Sequence, residues 1–203
     1  MAVFAWNVRG LGNKDSVHAL TNSIRKCQPD IVFLSETKQK KRYLEKIKMK
    51  MKLENSFYVE PTGLAAGLSL WWSKDTQIKI QGYGKHFIDA EISIKSEAVW
   101  FGTFIYGPPY KEQKKEFWEL MENLRKGGAF TWSNHRCDDK AILEKLDRVL
   151  CSPGWNILFP KAMAMLDIAI GSDHAPRRTA LRLSKEVGSR FRSQGILIAL
   201  VAS

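Results

Sequence analysis

Two apolar runs near the N-terminus restrict what this chain can fold into more than any other feature. Val3-Phe4-Ala5-Trp6-Asn7 and Ile31-Val32-Phe33-Leu34-Ser35 are short, apolar up to their last residue, and bounded by turn-forming residues. Buried strands read this way. Between them the pattern predicts a helix, capped by Asp15 or Ser16, with Val17, Leu20 and Ile24 on one face and an end at Pro29-Asp30. A strand, a helix and a second strand make a parallel pair under a covering helix. Both strands of such a pair end on the same side. Asn7 closes the first and Glu36 follows directly on the second, so an amide and a carboxylate should face one cleft.

The rest of the chain continues the alternation. Lys38 to Leu53 reads as a second helix, with Tyr43, Ile47 and Met51 every fourth residue and Leu44 beside them. Gly67 to Trp72, Gln77 to Lys95 and Val99 to Tyr106 read as strands; Ile78, Ile80, Ile92 and Ile94 alternate with polar residues, as half-buried strands do. Gly107-Pro108-Pro109 breaks the last of these. A third helix is expected over Lys111 to Lys126, with Phe117, Leu120, Met121 and Leu124 on one side, and a short strand within Leu143 to Leu150 that contains Asp147. The class is therefore α/β with a mixed sheet. At 203 residues one domain is expected. The apolar stretch from Gly195 to Ala202 is read either as a buried strand or as a scrap of foreign reading frame.

Net charge is +11, which favours polyanionic partners. Eight cations, Lys38, Lys40, Lys41, Arg42, Lys46, Lys48, Lys50 and Lys52, crowd the second helix against Glu45 alone. They form either a solvated face or a surface that contacts phosphates without sequence preference. Trp71-Trp72 and Trp132 are read as core in preference to base-stacking platforms, and His18, His86 and His135 as surface or core residues. Nothing approaches a membrane-spanning length. The three cysteines, Cys27, Cys137 and Cys151, lack zinc-like spacing, and their odd number without a secretory segment predicts an intracellular location. Lys40-Lys41-Arg42 leaves the nucleus open as the compartment.

Phosphodiester hydrolysis needs a cation to offset phosphate charge, an activated water, and a donor to the developing negative charge. A glutamate at the end of a buried strand can hold Mg²⁺, which takes one or two carboxylates and keeps water and substrate oxygens. Glu36 fits that role, and Asn7 can support the same region. His174, in Gly171-Ser172-Asp173-His174, is the strongest candidate donor; Asp147 can orient it, and Asp173 can bind metal or water.

The ordered motifs also carry a resemblance. Trp6-Asn7-Val8-Arg9-Gly10-Leu11-Gly12, Ser35-Glu36-Thr37-Lys38, Tyr106 with Gly107-Pro108-Pro109, Phe130-Thr131-Trp132-Ser133-Asn134, Leu146-Asp147-Arg148-Val149-Leu150 and Ser172-Asp173-His174 resemble the endonuclease/exonuclease/phosphatase (DNase I-like) superfamily. The similarity is greatest to the endonuclease domain of plant non-LTR (LINE-type) retrotransposons. It covers residues 1–183 and leaves 184–203 as an atypical tail. It implies a four-layer sandwich, two mixed β-sheets flanked by helices. It implies a Mg²⁺-dependent DNA endonuclease, with Mn²⁺ as the alternative cation. It implies that Glu36 and Asn7 serve the metal, that Tyr106 contacts the phosphate, that Asn134 belongs to the DNA-facing site, and that Asp147, Asp173 and His174 complete the catalytic set. Arg9, Lys38, Lys40, Lys41 and Arg42 are the expected nucleic-acid contacts. Any reverse transcriptase would be on another chain.

One family segment is missing. A Gly-Asp-Phe-Asn strand, whose Asp and Asn align the attacking water, should follow the helix after the Tyr-Gly-Pro-Pro turn. Here Lys126 leads into Gly127-Gly128-Ala129 and then Phe130, and that tetrapeptide occurs nowhere. The expectation is a sandwich incomplete by at least one internal strand, with impaired catalysis. The alternatives are a non-catalytic relic that at most binds nucleic acid, and a phosphatase of the same superfamily.

Overall fold

The computed structural model describes residues 1–62, 67–94, 98–107, 115, 148–151, 159, 163–166, 177–180 and 196–201. In chain order, the first part holds β1 (Ala2–Asn7), α1 (Lys14–Cys27), β2 (Ile31–Ser35), α2 (Lys41–Met49), β3 (Asn55–Val59) and β4 (Leu68–Trp72). Then come β5 (Thr76–Gly84), β6 (Phe87–Ile94), β7 (Ala98–Tyr106), β8 (Arg148–Cys151), β9 (Met163–Leu166), β10 (Arg177–Ala180) and β11 (Ile196–Val201). The strands form two sheets, one in the order β3-β4-β2-β1-β10-β9 and one in the order β5-β6-β7-β11-β8.

The expected parallel pair lies at the centre of the first sheet, with Val3 opposite Ile31 and Asn7 opposite Ser35. Both strands are apolar because both of their faces are covered. Val3, Ala5, Ile31 and Phe33 pack with Ile88, Ala90, Ile92, Trp100 and Phe104 of the second sheet. Phe4, Trp6, Val32 and Leu34 pack with Leu20 and Ile24 of α1 and Leu44 and Ile47 of α2. Trp71 is buried in this outer layer, a core role as expected. Helices, first sheet and second sheet are thus three layers of the expected four. The helix predicted over 111–126 falls outside the described residues except at Lys115, which is helical.

Several local expectations need correction. α1 is capped by Asn13, whose Oδ1 accepts the Asp15 N–H at 2.9 Å, while Ser16 turns into the core. α2 is shorter than the span 38–53, because Lys38 (φ +49°) and Lys52 (φ +59°) adopt left-handed backbone that a helix cannot include. Tyr43, within α2, is exposed, whereas Met51 is buried beyond the helix end. Lys48 does not join the basic surface. It is buried, 2.9 Å from Glu45 Oε2, and donates to Ser56 Oγ and the Glu54 carbonyl at 3.0 Å. The apolar stretch near the C-terminus, read either as a buried strand or as foreign sequence, forms β11, which pairs parallel with β7. Among the described residues, no helix is long and apolar enough to cross a membrane.

Candidate functional site

The parallel register brings the ends of β1 and β2 to one side, and the backbone bonds continue past them. Val8 N–H donates to the Ser35 carbonyl at 3.1 Å, and Leu11 N–H to the Thr37 carbonyl at 3.0 Å. Four residues in these turns have positive φ: Arg9 (+46°), Gly10 (+107°), Glu36 (+52°) and Lys38 (+49°). Left-handed backbone costs a non-glycine residue roughly 1–2 kcal/mol, so three such residues mark a strained spot. Strain of this kind gathers at functional sites. Its local effect is visible in the contacts of Glu36, which leaves the pleat of β2 and meets residues from both sheets.

Glu36 Oε1 accepts two hydrogen bonds, from Asn7 Nδ2 at 2.8 Å and from the Tyr106 hydroxyl at 3.1 Å. Glu36 Oε2 lies 3.3 Å from Lys38 Nζ. Asn7 Oδ1 accepts the Arg9 backbone N–H at 3.1 Å. The amide orientation follows from chemistry, since a carboxylate can only accept and an N–H can only donate. Asn7, Glu36 and Tyr106 are all buried, whereas the Lys38 side chain is half-exposed. Tyr106 is the last residue of β7, so the contact with Glu36 ties the two sheets together at the strand ends.

Burial alone would push the Glu36 carboxyl up. Hydrogen bonds from Asn7, Lys38 and Tyr106, with the Lys38 charge, outweigh burial and hold it below the ordinary glutamate range. A carboxyl depressed in the folded state stabilises the fold above its unfolded-state pKa, and that contribution disappears as pH falls through the folded value. Glu36→Gln should therefore show a shallower acid loss of stability than the parent chain. Urea midpoints measured from roughly pH 5 down to pH 3 would test this, and equal slopes would refute it.

The donor set suits a hard cation. Glu36 Oε2 is an ionised oxygen paired with the half-exposed Lys38 ammonium, and Mg²⁺ needs few protein carboxylates. Among the described residues, no group of three His, Cys, Asp or Glu comes together. Asn7 donates to Glu36 from Nδ2 and accepts the Arg9 N–H at Oδ1, which holds the carboxylate in place.

Lys38, the cation paired with Glu36, also lines a groove with Lys40, Arg42 and Lys46 beside Tyr43. Lys40, Lys41 and Arg42 are exposed around the start of α2, and Arg9 is exposed beside Asn7. Asn134, Asp147, Asp173 and His174 lie outside the described residues, as do His135 and Trp132. Two contacts go beyond what the sequence predicts. The Lys38 contact with Glu36 could have been sought in the Glu-Thr-Lys spacing, but it depends on left-handed turns that the sequence does not announce. His86 is buried against Tyr106, with its Nδ1 3.2 Å from the Tyr106 carbonyl.

The model of the endonuclease/exonuclease/phosphatase family matches residues 4–131, a span that contains Asn7, Glu36 and Tyr106. The chain belongs to this family. The family's fold recurs in the endonuclease domain of TRAS1, a telomere-specific non-LTR retrotransposon: 13% identity, TM-score 0.60, covering 91% of this chain and 99% of that one. Truncated Caenorhabditis elegans TDP2 is similar at 15% identity and TM-score 0.56, covering 88% of this chain and 96% of that one. Against a humanized D. rerio TDP2 the chain spans 55% of that protein's length, with 62% of its own length covered, 15% identity and TM-score 0.49. No curated protein matches by sequence. At these identities the structural likeness establishes a DNase I-like α/β sandwich, and family membership is compatible with a nuclease or phosphodiesterase.

Proposed function

We propose that this chain is a Mg²⁺-dependent phosphodiesterase that nicks DNA, derived from a LINE-type retrotransposon endonuclease and slow because it lacks the water-positioning strand. One observation carries the reading: a carboxylate held by Asn7 and Tyr106 pairs with Lys38, and Lys38 also lines a groove with Lys40, Arg42 and Lys46. Glu36 Oε2 would hold the cation, which when bound offsets charge on the scissile phosphate. Tyr106 would keep Oε1 engaged and present its hydroxyl edge to a phosphate oxygen. Lys38, Lys40 and Arg42 would receive the neighbouring phosphates, with Arg9 on the other side of Asn7. Asp147, Asp173, His174 and Asn134 are assigned to the remaining side of the cleft by their motifs. The relatives' names support DNA as the substrate class, since TRAS1 contributes an endonuclease domain.

Supercoiled plasmid should be nicked with Mg²⁺ or Mn²⁺ and remain intact with chelator. Nicking that ignores chelator would refute the assignment. The absent Gly-Asp-Phe-Asn segment favours a second reading, a non-catalytic binder of nucleic acid. That reading predicts no nicking but salt-sensitive binding. In either case the double variant Lys40→Gln, Arg42→Gln should flatten the log–log salt dependence of DNA binding by about 2, one for each phosphate left without its cation. An unchanged slope in a filter-binding titration would remove the groove from the DNA path.

A further inference from the structure

We infer that the His86 side chain is a positioning residue for Tyr106, holding the end of β7 so that the phenol reaches Glu36. β6 and β7 run antiparallel, and their registered pairs end at Phe87 opposite Ile105. One residue further, Tyr106 N–H donates to the His86 carbonyl at 2.8 Å. The side chain adds a contact of its own: His86 Nδ1 stands 3.2 Å from the Tyr106 carbonyl. A carbonyl oxygen only accepts, which places a proton on Nδ1. The two rings are stacked, 26° between planes with centroids 6.1 Å apart.

His86 is thus held on Tyr106 by a backbone bond, a side-chain bond and ring contact, and it is 7% exposed. Burial, and then the Lys85 charge, push its pKa below the ordinary histidine range, against the pull of the Tyr106 carbonyl. The neutral ring keeps its Nδ1 proton, so the clamp persists at neutral pH. The beneficiary is the phenol. Tyr106 ends its strand immediately before Gly107, and its hydroxyl must arrive 3.1 Å from Glu36 Oε1 on the opposite sheet. β11 flanks Tyr106 on the other side of the strand, so losing the His86 side chain would loosen one side of the strand end, and misplacement by about 1 Å is enough to impair a reactive geometry.

The test uses three variants of the full chain. His86→Asn places an amide N–H near the position of Nδ1, His86→Gln places it too far out, and His86→Leu removes the donor. The readout is the Tyr106 ring resonance in protein labelled with ¹³C at tyrosine Cζ, assigned by its loss in Tyr106→Phe. His86→Leu and His86→Gln should displace this resonance in the direction set by Glu36→Ala, which removes the phenol's acceptor, and His86→Asn should return it. An unmoved resonance in His86→Leu, or equal displacement in Asn and Gln, would overturn the inference. If the leucine variant does not fold, the Asn–Gln contrast decides alone. The catalytic arm rests on the proposed function: nicking kcat should fall on the order of tenfold in His86→Gln with KM unchanged, and recover in His86→Asn. A parent chain that does not nick would refute the proposed function and leave the resonance test intact.

Discussion

Glu36→Ala is expected to reduce Mg²⁺-dependent plasmid nicking by on the order of 10²–10³, the loss typical when one preorganised electrostatic group is removed from a reacting phosphate or oxyanion. The substitution should do this without unfolding the chain. Glu36 is buried at the edge of the core, and its removal leaves no isolated charge inside, because Lys38 is half-exposed and can turn to solvent. Asn7 and Tyr106 lose one acceptor, at about 1–3 kcal/mol for each donor left unpaired, unless water replaces the carboxylate. Asn7→Ala should be milder, about 10–100-fold in activity, because it removes a group that orients Glu36. The order matters more than either magnitude. If Asn7→Ala abolished nicking and Glu36→Ala spared it, with both variants showing parental urea midpoints, the carboxylate would not be the metal-bearing group.

What could be read from the sequence follows from how local each signal is. β1, α1 and β2 were legible because their hydrophobic patterns are unbroken and their order admits one arrangement, and from that arrangement the meeting of Asn7 and Glu36 followed directly. Tyr106 was reached through the family motif alone; no local pattern announces a contact seventy residues from Glu36 across two sheets. β3, β9 and β10 passed unnoticed, being four or five residues long and, in Asn55-Ser56 and Arg177-Arg178, polar where a strand signal would be apolar. They are strands because neighbouring strands offer them a ladder. Lys48 was misplaced for a similar reason: a lysine reads as surface unless its partners are known, and Glu45 and Ser56 converge on it only in the fold. Asn13 took the helix cap from Asp15 and Ser16 because all three are good caps, and the choice was settled by where β1 ends and by burial of Ser16.

Removing residues 196–203 is expected to abolish cooperative folding. β11 pairs with β7 from Ile196 opposite Phe101 to Val201 opposite Tyr106, and with β8 from Leu197 opposite Cys151 to Leu200 opposite Arg148. A ladder bond contributes about 0.5–1.5 kcal/mol net, so losing both flanks of one strand amounts to on the order of 5 kcal/mol or more. A domain of this size has only about 5–15 kcal/mol in total. Ala199→Pro probes the same strand without shortening the chain: it deletes one N–H from an internal strand and should cost about 3 kcal/mol or more. Urea unfolding followed by tryptophan fluorescence is a suitable measurement, because Trp100 is buried on β7. A midpoint equal to the parent's in Ala199→Pro would show that β11 is not part of the cooperative unit. The strand also bears on the chemistry. Val201 registers with Tyr106, so β11 supports the strand end that delivers the phenol to Glu36. Yet Ile196-Leu197-Ile198-Ala199-Leu200-Val201 contains no carboxylate and no side-chain amide. β11 thus supplies backbone pairing to its sheet and nothing that could align a water. Stability and activity should therefore separate in this chain: a parent that unfolds cooperatively, nicks slowly, and loses both properties together only when β11 is broken.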